Sequence, residues 1–108
     1  MKKKLYSVRS VFRYKDLSDK KKFVYEERIT IWEAESNKSA FKKSEEEAKA
    51  YAKENKCDHL DFGQSFYLYV TEMTSGTEVF SLMRESNKKK NDYLDSFFDT
   101  GNECQKFA

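Results

Sequence analysis

The feature that most constrains the fold is a pair of apolar-rich runs, residues 66–73 and 79–83, separated by a short polar segment. That segment contains Gly76, which can adopt the positive φ that a tight turn requires. Short runs rich in aromatic and β-branched residues on either side of a glycine-bearing turn are typical of a β-hairpin. We therefore predict that the two runs are paired strands. Residues 66–70, apolar on both faces, are predicted to form a central strand.

Two earlier segments show the period of two that is typical of half-buried strands. In residues 5–14 the large apolar side chains fall at alternate positions: Tyr6, Val8, Phe12 and Tyr14. In residues 23–34 one face carries Phe23, Tyr25, Ile29 and Ile31, and the other carries Glu26, Arg28 and Thr30. A lysine-rich polar segment joins the two runs, so we predict a first hairpin here.

A helix is predicted to begin at Ser36 or Asn37, since either side chain can accept a hydrogen bond from a free backbone amide of the first turn. Spacings of three and four place the following residues on one narrow stripe that faces the sheet: Ala40, Phe41, Ser44, Ala48, Tyr51 and Ala52. A second, short helix is predicted near the C-terminus, where Tyr93, Leu94, Phe97 and Phe98 recur at helical spacing and Gly101 can end the last turn.

This order of elements predicts an α+β fold: a four-stranded, mainly antiparallel sheet in ββαββ order, with one main helix on one face and a short C-terminal helix. Residues 1–85 are predicted to form the core domain, and residues 86–108 an acidic extension that packs on or near it. One helix covers only one face of such a sheet. Because large exposed apolar patches are uncommon on monomers, we expect the extension, a second subunit or another protein to cover the other face.

The composition favours one folded domain. The chain has 108 residues, of which 37% are charged and 16% aromatic, and disordered chains are poor in aromatic residues. The N-terminal lysines are followed by Arg9 and Arg13 where an export signal needs an apolar region, and no apolar run approaches the roughly 20 residues that span a bilayer. We expect a cytoplasmic protein whose two cysteines, Cys57 and Cys104, are reduced.

The cluster of residues with the most potential for chemistry is Cys57, Asp58, His59 and Asp61. Zinc needs three or four protein ligands, and this chain has one histidine and a distant second cysteine. A thiol nucleophile needs a base in contact and an oxyanion donor, and neither is evident from the spacing. We therefore predict no catalytic residue, metal or cofactor, and interpret the cluster as a polar connection in a protein that is not an enzyme.

Glu27 lies between Tyr25 and Ile29 on the apolar row of the second predicted strand. A carboxylate in such a row must be paired, because an unpaired buried charge is costly. Arg9 and Arg13 of the neighbouring strand are the candidate partners. We predict a structural ion pair, with a ligand-facing carboxylate as the alternative.

Four acidic residues recur at spacings of three and four near the C-terminus, which places them on one side of a helix: Asp92, Asp95, Asp99 and Glu103. One interpretation is an amphipathic helix whose apolar side caps the open sheet face. The other is an acidic surface for a basic protein such as a nuclease, where complementary charge accelerates association.

Four segments resemble a small bacterial family catalogued as domain of unknown function 4288. They are residues 6–9, residues 26–29, Ala34 with Ser36 before the helix, and residues 76–81 with the sequence Gly-Thr-Glu-Val-Phe-Ser. The resemblance extends over about residues 5–85. It implies a related fold, and because the family has no established activity it implies no catalytic or binding residue.

Together these features favour a non-enzymatic bacterial protein-binding module, most concretely an immunity protein that neutralises a cognate toxin domain by binding it. The predicted partner-binding residues are Tyr67, Tyr69, Asp92, Tyr93, Asp95, Asp99 and Glu103. One alternative is a homodimeric structural or regulatory module whose open sheet faces pack together. Another is weak RNA binding by Tyr67, Tyr69 and the lysines, although no nucleic-acid-binding motif accompanies them. No membrane partner is expected.

Overall fold

The computed structural model describes residues 4–15, 23–98 and 100–101. In these residues the chain forms β1 (Lys4–Tyr14), β2 (Val24–Ala34), α1 (Asn37–Glu54), β3 (Asp58–Tyr67) and α2 (Lys90–Phe97). The strands form an antiparallel sheet in the order β2-β1-β3. The predicted α+β class is confirmed, but the predicted four-stranded ββαββ sheet is wrong, because the sheet has three strands and β1 is its centre.

The second predicted hairpin accounts for this difference. Its turn is present, since the Thr77 amide donates to the Thr74 carbonyl at 3.1 Å and Gly76 has a φ of 87°. The flanking runs do not pair: β3 ends at Tyr67 and no strand is assigned over 79–83. The extended chain is interrupted by Tyr69, whose φ of 59° lies in the left-handed region. The first run therefore turns away from the sheet before it can receive a fourth strand.

Most of β3 lies instead in a polar segment that the sequence pattern predicts to be a connection. Its pairing with β1 shifts between Gly63↔Ser10 and His59↔Phe12, so residues 60–62 bulge opposite Val11. Gly63 lies against the ring of Phe41, where a Cβ atom would come within 2.7 Å of Cε2. A larger residue here would require the Phe41 ring or the strand to shift.

The first hairpin forms as predicted, with β1 and β2 paired continuously from Lys4↔Ala34 to Tyr14↔Val24. α1 also forms as predicted. Ser36 is its N-cap, and its side chain accepts from the Ser39 amide at 3.1 Å.

The core lies between α1 and one face of β1. The helix contributes small buried side chains, Ala40, Ser44, Ala48 and Ala52, and the sheet contributes large ones. Phe12 packs against Ala48 and Ala52, while Tyr6 packs against Ala40. Small residues let α1 approach closely enough to remove the Phe12 ring completely from solvent.

β2 directs its charged face, rather than its apolar face, towards α1. Glu26, Arg28 and Thr30 lie on the α1 side, in the same register rows as Phe12, Ser10 and Val8. The apolar row of Tyr25, Ile29 and Ile31 lies on the opposite side and is exposed. The charged row can face the helix because α1 supplies polar partners for it.

After β3 the chain returns across the sheet on the side opposite α1, where the Phe80 ring lies 6.1 Å from the ring of Phe66. α2 follows, and no Cα atom of α2 comes within 8 Å of a Cα atom of α1 or of the three described strands. Neither of these helices has the length and apolarity needed to cross a lipid bilayer.

Candidate functional site: the open face of the sheet

The sheet face opposite α1 carries the exposed apolar side chains of β2, and we call it the open face. Alternation and register assign to it residues that include Ser7, Arg9, Val11 and Arg13 of β1, Tyr25, Glu27, Ile29 and Ile31 of β2, and Gln64 and Phe66 of β3. Of these, Ser7 is completely buried. Phe80 covers the part of it near β3. The part near β2 keeps several residues exposed to solvent.

The part near β2 presents several large, partly exposed apolar side chains along the strand. Tyr25 is 57% exposed, Ile29 42% and Ile31 38%. Strand alternation gives all of them the same direction, away from α1. Exposed apolar residues are common when scattered, but a group of them on one face of a strand, interrupted here by Glu27, favours an interaction surface.

Arg9 lies beside this row and is held from three directions. Its Nη1 donates to Glu27 Oε1 at 3.1 Å, and its Nη2 donates to the Gln64 side chain. Its guanidinium lies 5.1 Å from the centroid of the Phe80 ring. Glu27 thus has an arginine partner within the apolar row, and that partner is Arg9.

Arg13 pairs with a different carboxylate. Its Nη2 donates to Asp58 Oδ2 at 3.2 Å, across the β1–β3 pair, and its guanidinium lies 4.5 Å from the centroid of the Phe23 ring. The hydrogen bond to Asp58 raises the pKa of Arg13 above its usual value. Both arginines of the open face are therefore matched by carboxylates, so the pairs add no net charge to the apolar surface between them.

On the α1 side of the sheet, Glu26 is the acceptor of a small tyrosine network. Tyr51 Oη lies 2.8 Å and 2.9 Å from its two carboxylate oxygens, and Tyr14 Oη lies 3.0 Å from Oε1. Burial, followed by the hydrogen bonds with Tyr51, Cys57 and Glu26, raises the pKa of Tyr14 far above its usual value. For Tyr51 the bond with Tyr14 lowers the pKa, but burial and Glu26 outweigh it, so the pKa of Tyr51 is also raised.

Arg28 completes this network and ties β2 to α1. It donates through Nη1 and Nη2 to both oxygens of Glu47, at 2.6 Å and 2.8 Å, and its guanidinium lies 3.9 Å from the Tyr51 ring centroid. The bidentate bond with Glu47 raises the pKa of Arg28. Glu26 accepts from two tyrosine hydroxyls and Arg28 is paired with Glu47. This arrangement is typical of a structural clamp rather than of a nucleophile or general base.

The polar cluster around β3 does not assemble into a metal site. Across the described residues, no group of three or more histidine, cysteine, aspartate or glutamate side chains could hold a metal ion. His59 packs 5.5 Å from the Phe12 ring centroid, and its Nδ1 lies 3.6 Å from Asp61 Oδ1. Cys57 is a free thiol at the edge of the Phe12 cluster. Cys104 lies outside the described residues.

The predicted partner-binding residues fall on two separate surfaces. Asp92 and Asp95 are exposed on α2, and Tyr93 of the same helix packs against Phe97 at 5.0 Å between ring centroids. Arg84 holds this helix through a hydrogen bond to Tyr93 Oη at 3.4 Å. Asp99 and Glu103 lie outside the described residues.

Tyr67 and Tyr69 form the second surface. Tyr67 pairs with Tyr6 on the α1 side of the sheet, with ring centroids 5.3 Å apart, and packs against the core. Tyr69 is 78% exposed and contacts Tyr67 at 4.3 Å. Tyr67 therefore does not lie on the open face.

Sequence reasoning found the apolar row of β2 but not its exposure, and it missed the Arg28–Glu47 and Glu26–tyrosine contacts. The sequence did contain a signal for these contacts between β2 and α1. The predicted helix stripe has small residues at Ala48 and Ala52, with Glu47 and Tyr51 beside them, and these polar groups match the charged row of β2 rather than the apolar one.

Comparison with protein-family models, curated proteins and solved structures found no match to this chain. The resemblance over residues 5–85 to the bacterial family of unknown function therefore stays a prediction.

Proposed function

We propose that this chain is a non-enzymatic protein-binding module that uses the uncovered, β2 side of its open face. The observation that carries the proposal is the row of Tyr25, Ile29 and Ile31, which is large, apolar and exposed on a regular strand. A specific interface buries about 800 Å² on each partner. A sheet face with an apolar centre and a rim of paired charges has the character of such interfaces.

The partner that we propose is a bacterial toxin domain, which the module would neutralise by covering its active site. Asp92 and Asp95 support this choice, because they add exposed negative charge on a separate helix. A nuclease that binds nucleic acid carries a basic surface, and acidic residues outside the apolar contact would steer it to the module. In this arrangement the apolar row provides the affinity for the toxin, and the acidic residues of α2 raise the rate of association.

The proposal can be tested with the toxin domain encoded beside the gene for this chain, if such a gene is present, by titration calorimetry and by protection of bacteria that express the toxin. We expect tight binding by the wild type and a loss of at least about 100-fold for Tyr25→Ser combined with Ile31→Lys, since a few central apolar residues dominate interface energies. The matched control is Val70→Ser with Met73→Lys, which makes the same kinds of change at similarly exposed residues after β3.

Loss of binding by the open-face variant alone would support the proposal. Equal binding by the wild type and both variants would overturn the assignment to the open face. The absence of a toxin gene beside this one, or no binding to the toxin found there, would overturn the choice of partner.

A further inference from the structure

We propose that a surface beside the N-terminal end of α1 binds single-stranded nucleic acid, with a base stacked on Tyr69 and phosphates held by Lys4 and Lys38. We call these residues, together with Tyr67, the tyrosine–lysine surface. It is separate from the open face, because Tyr67 lies on the α1 side of the sheet. The inference goes beyond the proposed function and does not depend on it.

Tyr69 offers an exposed aromatic ring on a firm support. It is 78% exposed, and its ring centroid lies 4.3 Å from that of Tyr67. Tyr67 in turn lies 5.3 Å from the ring of Tyr6, which is buried in the core. Because these ring contacts restrict Tyr69 before any ligand arrives, less side-chain entropy is lost when a flat ligand stacks on it.

The backbone at Tyr69 is strained. Its φ of 59° lies in the left-handed region, which is unfavourable for a residue with a large side chain. The preceding residue, Leu68, still donates its amide to the Leu5 carbonyl at 3.0 Å, so the strain begins where the chain leaves β1. Backbone strain of this kind is concentrated at ligand sites. At Tyr69 it coincides with an exposed ring.

Positive charge lies next to these rings on the β1 side. Lys4 is exposed, and its Nζ lies 5.7 Å from the centroid of the Tyr67 ring. Lys4 and Tyr69 therefore both contact Tyr67. Two further lysines, Lys2 and Lys3, directly precede Lys4 in the sequence.

α1 adds positive charge on the other side of Tyr67. Ser65 Oγ donates to the side chain of Asn37, which fixes the first turn of the helix beside β3, two residues before Tyr67. Lys38 follows Asn37 and is exposed. Lys38 and Ser65 line an open depression of about 410 Å³.

Carboxylates are fewer than lysines on this side of the molecule. Glu33 lies on the other face of β2 by strand alternation, and Glu35 follows the strand. The two described lysines, Lys4 and Lys38, thus outnumber the carboxylate of Glu35. The surface is complementary to an anionic ligand.

Single-stranded nucleic acid combines the two chemical features that this surface can bind. Its phosphates are anionic along the whole strand, and its unpaired bases have free faces that stack on aromatic side chains. Such binding tolerates any sequence, because every base has a π face. In a duplex the bases already stack on one another, so Tyr69 would have no base to contact.

The binding can be measured by fluorescence anisotropy of labelled oligouridylate titrated with the full chain. We expect a Kd below about 100 µM near physiological salt, the upper limit of ordinary non-specific binding. Tyr69→Ala should bind at least about 5-fold more weakly, because it removes a stacking contact. Tyr69→Phe keeps the ring and should bind like the wild type. The matched control is Tyr25→Ala, which removes a tyrosine that is 57% exposed on the open face and should leave binding unchanged.

The dependence of the Kd on salt tests the lysines separately. Lys4→Gln and Lys38→Gln should each reduce the slope of log Kd against log salt concentration by about 0.7, the value for one phosphate contact on a single strand. Lys53→Gln makes the same change in the last turn of α1, about 22 Å along the helix from Lys38, and should leave the slope unchanged. Tyr69→Ala should also keep the wild-type slope, because it removes no charge. Circular dichroism of each variant checks that the fold is retained.

A wild-type Kd above about 100 µM would overturn the proposal. So would equal binding by Tyr69→Ala and the wild type, or a slope that Lys53→Gln reduces as much as Lys4→Gln does. Equal binding of a duplex, or displacement of the strand by uridine monophosphate at the same concentration of nucleotides, would overturn the choice of ligand.

Failure of this proposal is distinguishable from failure of the proposed function. Tyr69→Ala leaves the open face intact and should bind the toxin domain like the wild type. Tyr25→Ser combined with Ile31→Lys leaves the tyrosine–lysine surface intact and should bind oligouridylate like the wild type.

Discussion

At the scale of single residues, the clearest constraint is the contact between Gly63 and Phe41. A Cβ atom at position 63 would approach the Phe41 ring to 2.7 Å, so the ring or the strand would have to shift to accept it. Gly63→Ala should therefore lower the free energy of unfolding by about 1–3 kcal/mol, the usual range for overpacking. Denaturant unfolding of the purified variant measures this directly.

A double-mutant cycle separates this contact from the general effect of adding a side chain. In a Phe41→Leu background the smaller side chain leaves space, so Gly63→Ala should cost less than in the wild type. An equal cost in both backgrounds would show that the Phe41 ring does not require the glycine.

The raised pKa of Tyr14 predicts that the folded protein loses stability at alkaline pH. The folded state raises the pKa of this phenol above its ordinary value of 10.0, and the pKa of Tyr51 is raised as well. The stability that the protonated phenols provide is fully present below about pH 10. It is lost as the pH rises above that, because the unfolded chain then releases protons that the folded chain retains.

We expect the free energy of unfolding to fall as the pH rises above about 10, and to fall less steeply in Tyr14→Phe. Tyr69→Phe is the control, because Tyr69 is exposed and outside the Glu26 network. Denaturant titrations at each pH give the slopes. A slope in Tyr14→Phe identical to that of the wild type would contradict the role assigned to the phenol.

At the scale of elements, α1 depends on its first turn. Ser36 accepts from the Ser39 amide and supplies the N-cap for the helix that covers the core. Ser36→Ala should cost about 1 kcal/mol, whereas Ser36→Gly should cost only a few tenths. Equal stability of the alanine variant and the wild type in chemical unfolding would show that the cap contributes nothing.

The elements that the sequence predicts well are those with local signals. Alternation in β1 and β2, the Ser36 cap and the alanine stripe of α1 all depend on residues close together in the chain, and each of these elements forms. The turn at Gly76 forms for the same reason.

The sheet itself was harder to predict because pairing is not local. Residues 66–73 have the stronger strand propensity, yet most of β3 lies earlier, where Gly63, Gln64 and Ser65 meet β1. The position of β3 is determined by its pairing with β1 and by the packing of Phe41 on Gly63. Neither contact can be read from the sequence of β3 alone. The candidate site was also only partly predictable. Alternation identified the apolar and charged rows of β2, but tertiary packing determined that the charged row faces α1.

At the scale of the whole molecule, one helix and a three-stranded sheet leave an asymmetric surface. α1 covers one face and Phe80 covers part of the other, so the apolar row of β2 remains exposed. Burying such a row against another protein would add about 25 cal/mol for each Å² of apolar area. We propose that this row serves association with another protein.

The free energy of unfolding of Tyr25→Ser combined with Ile31→Lys tests this view most directly, measured at a protein concentration where the chain is monomeric. We expect it to lie within about 1 kcal/mol of the wild-type value, as for surface substitutions. Phe12→Ala, in the core under α1, should lose about 3–5 kcal/mol in the same experiment. A loss in the Tyr25/Ile31 variant as large as that of Phe12→Ala would show that the β2 row is buried, and would contradict an open face available for binding.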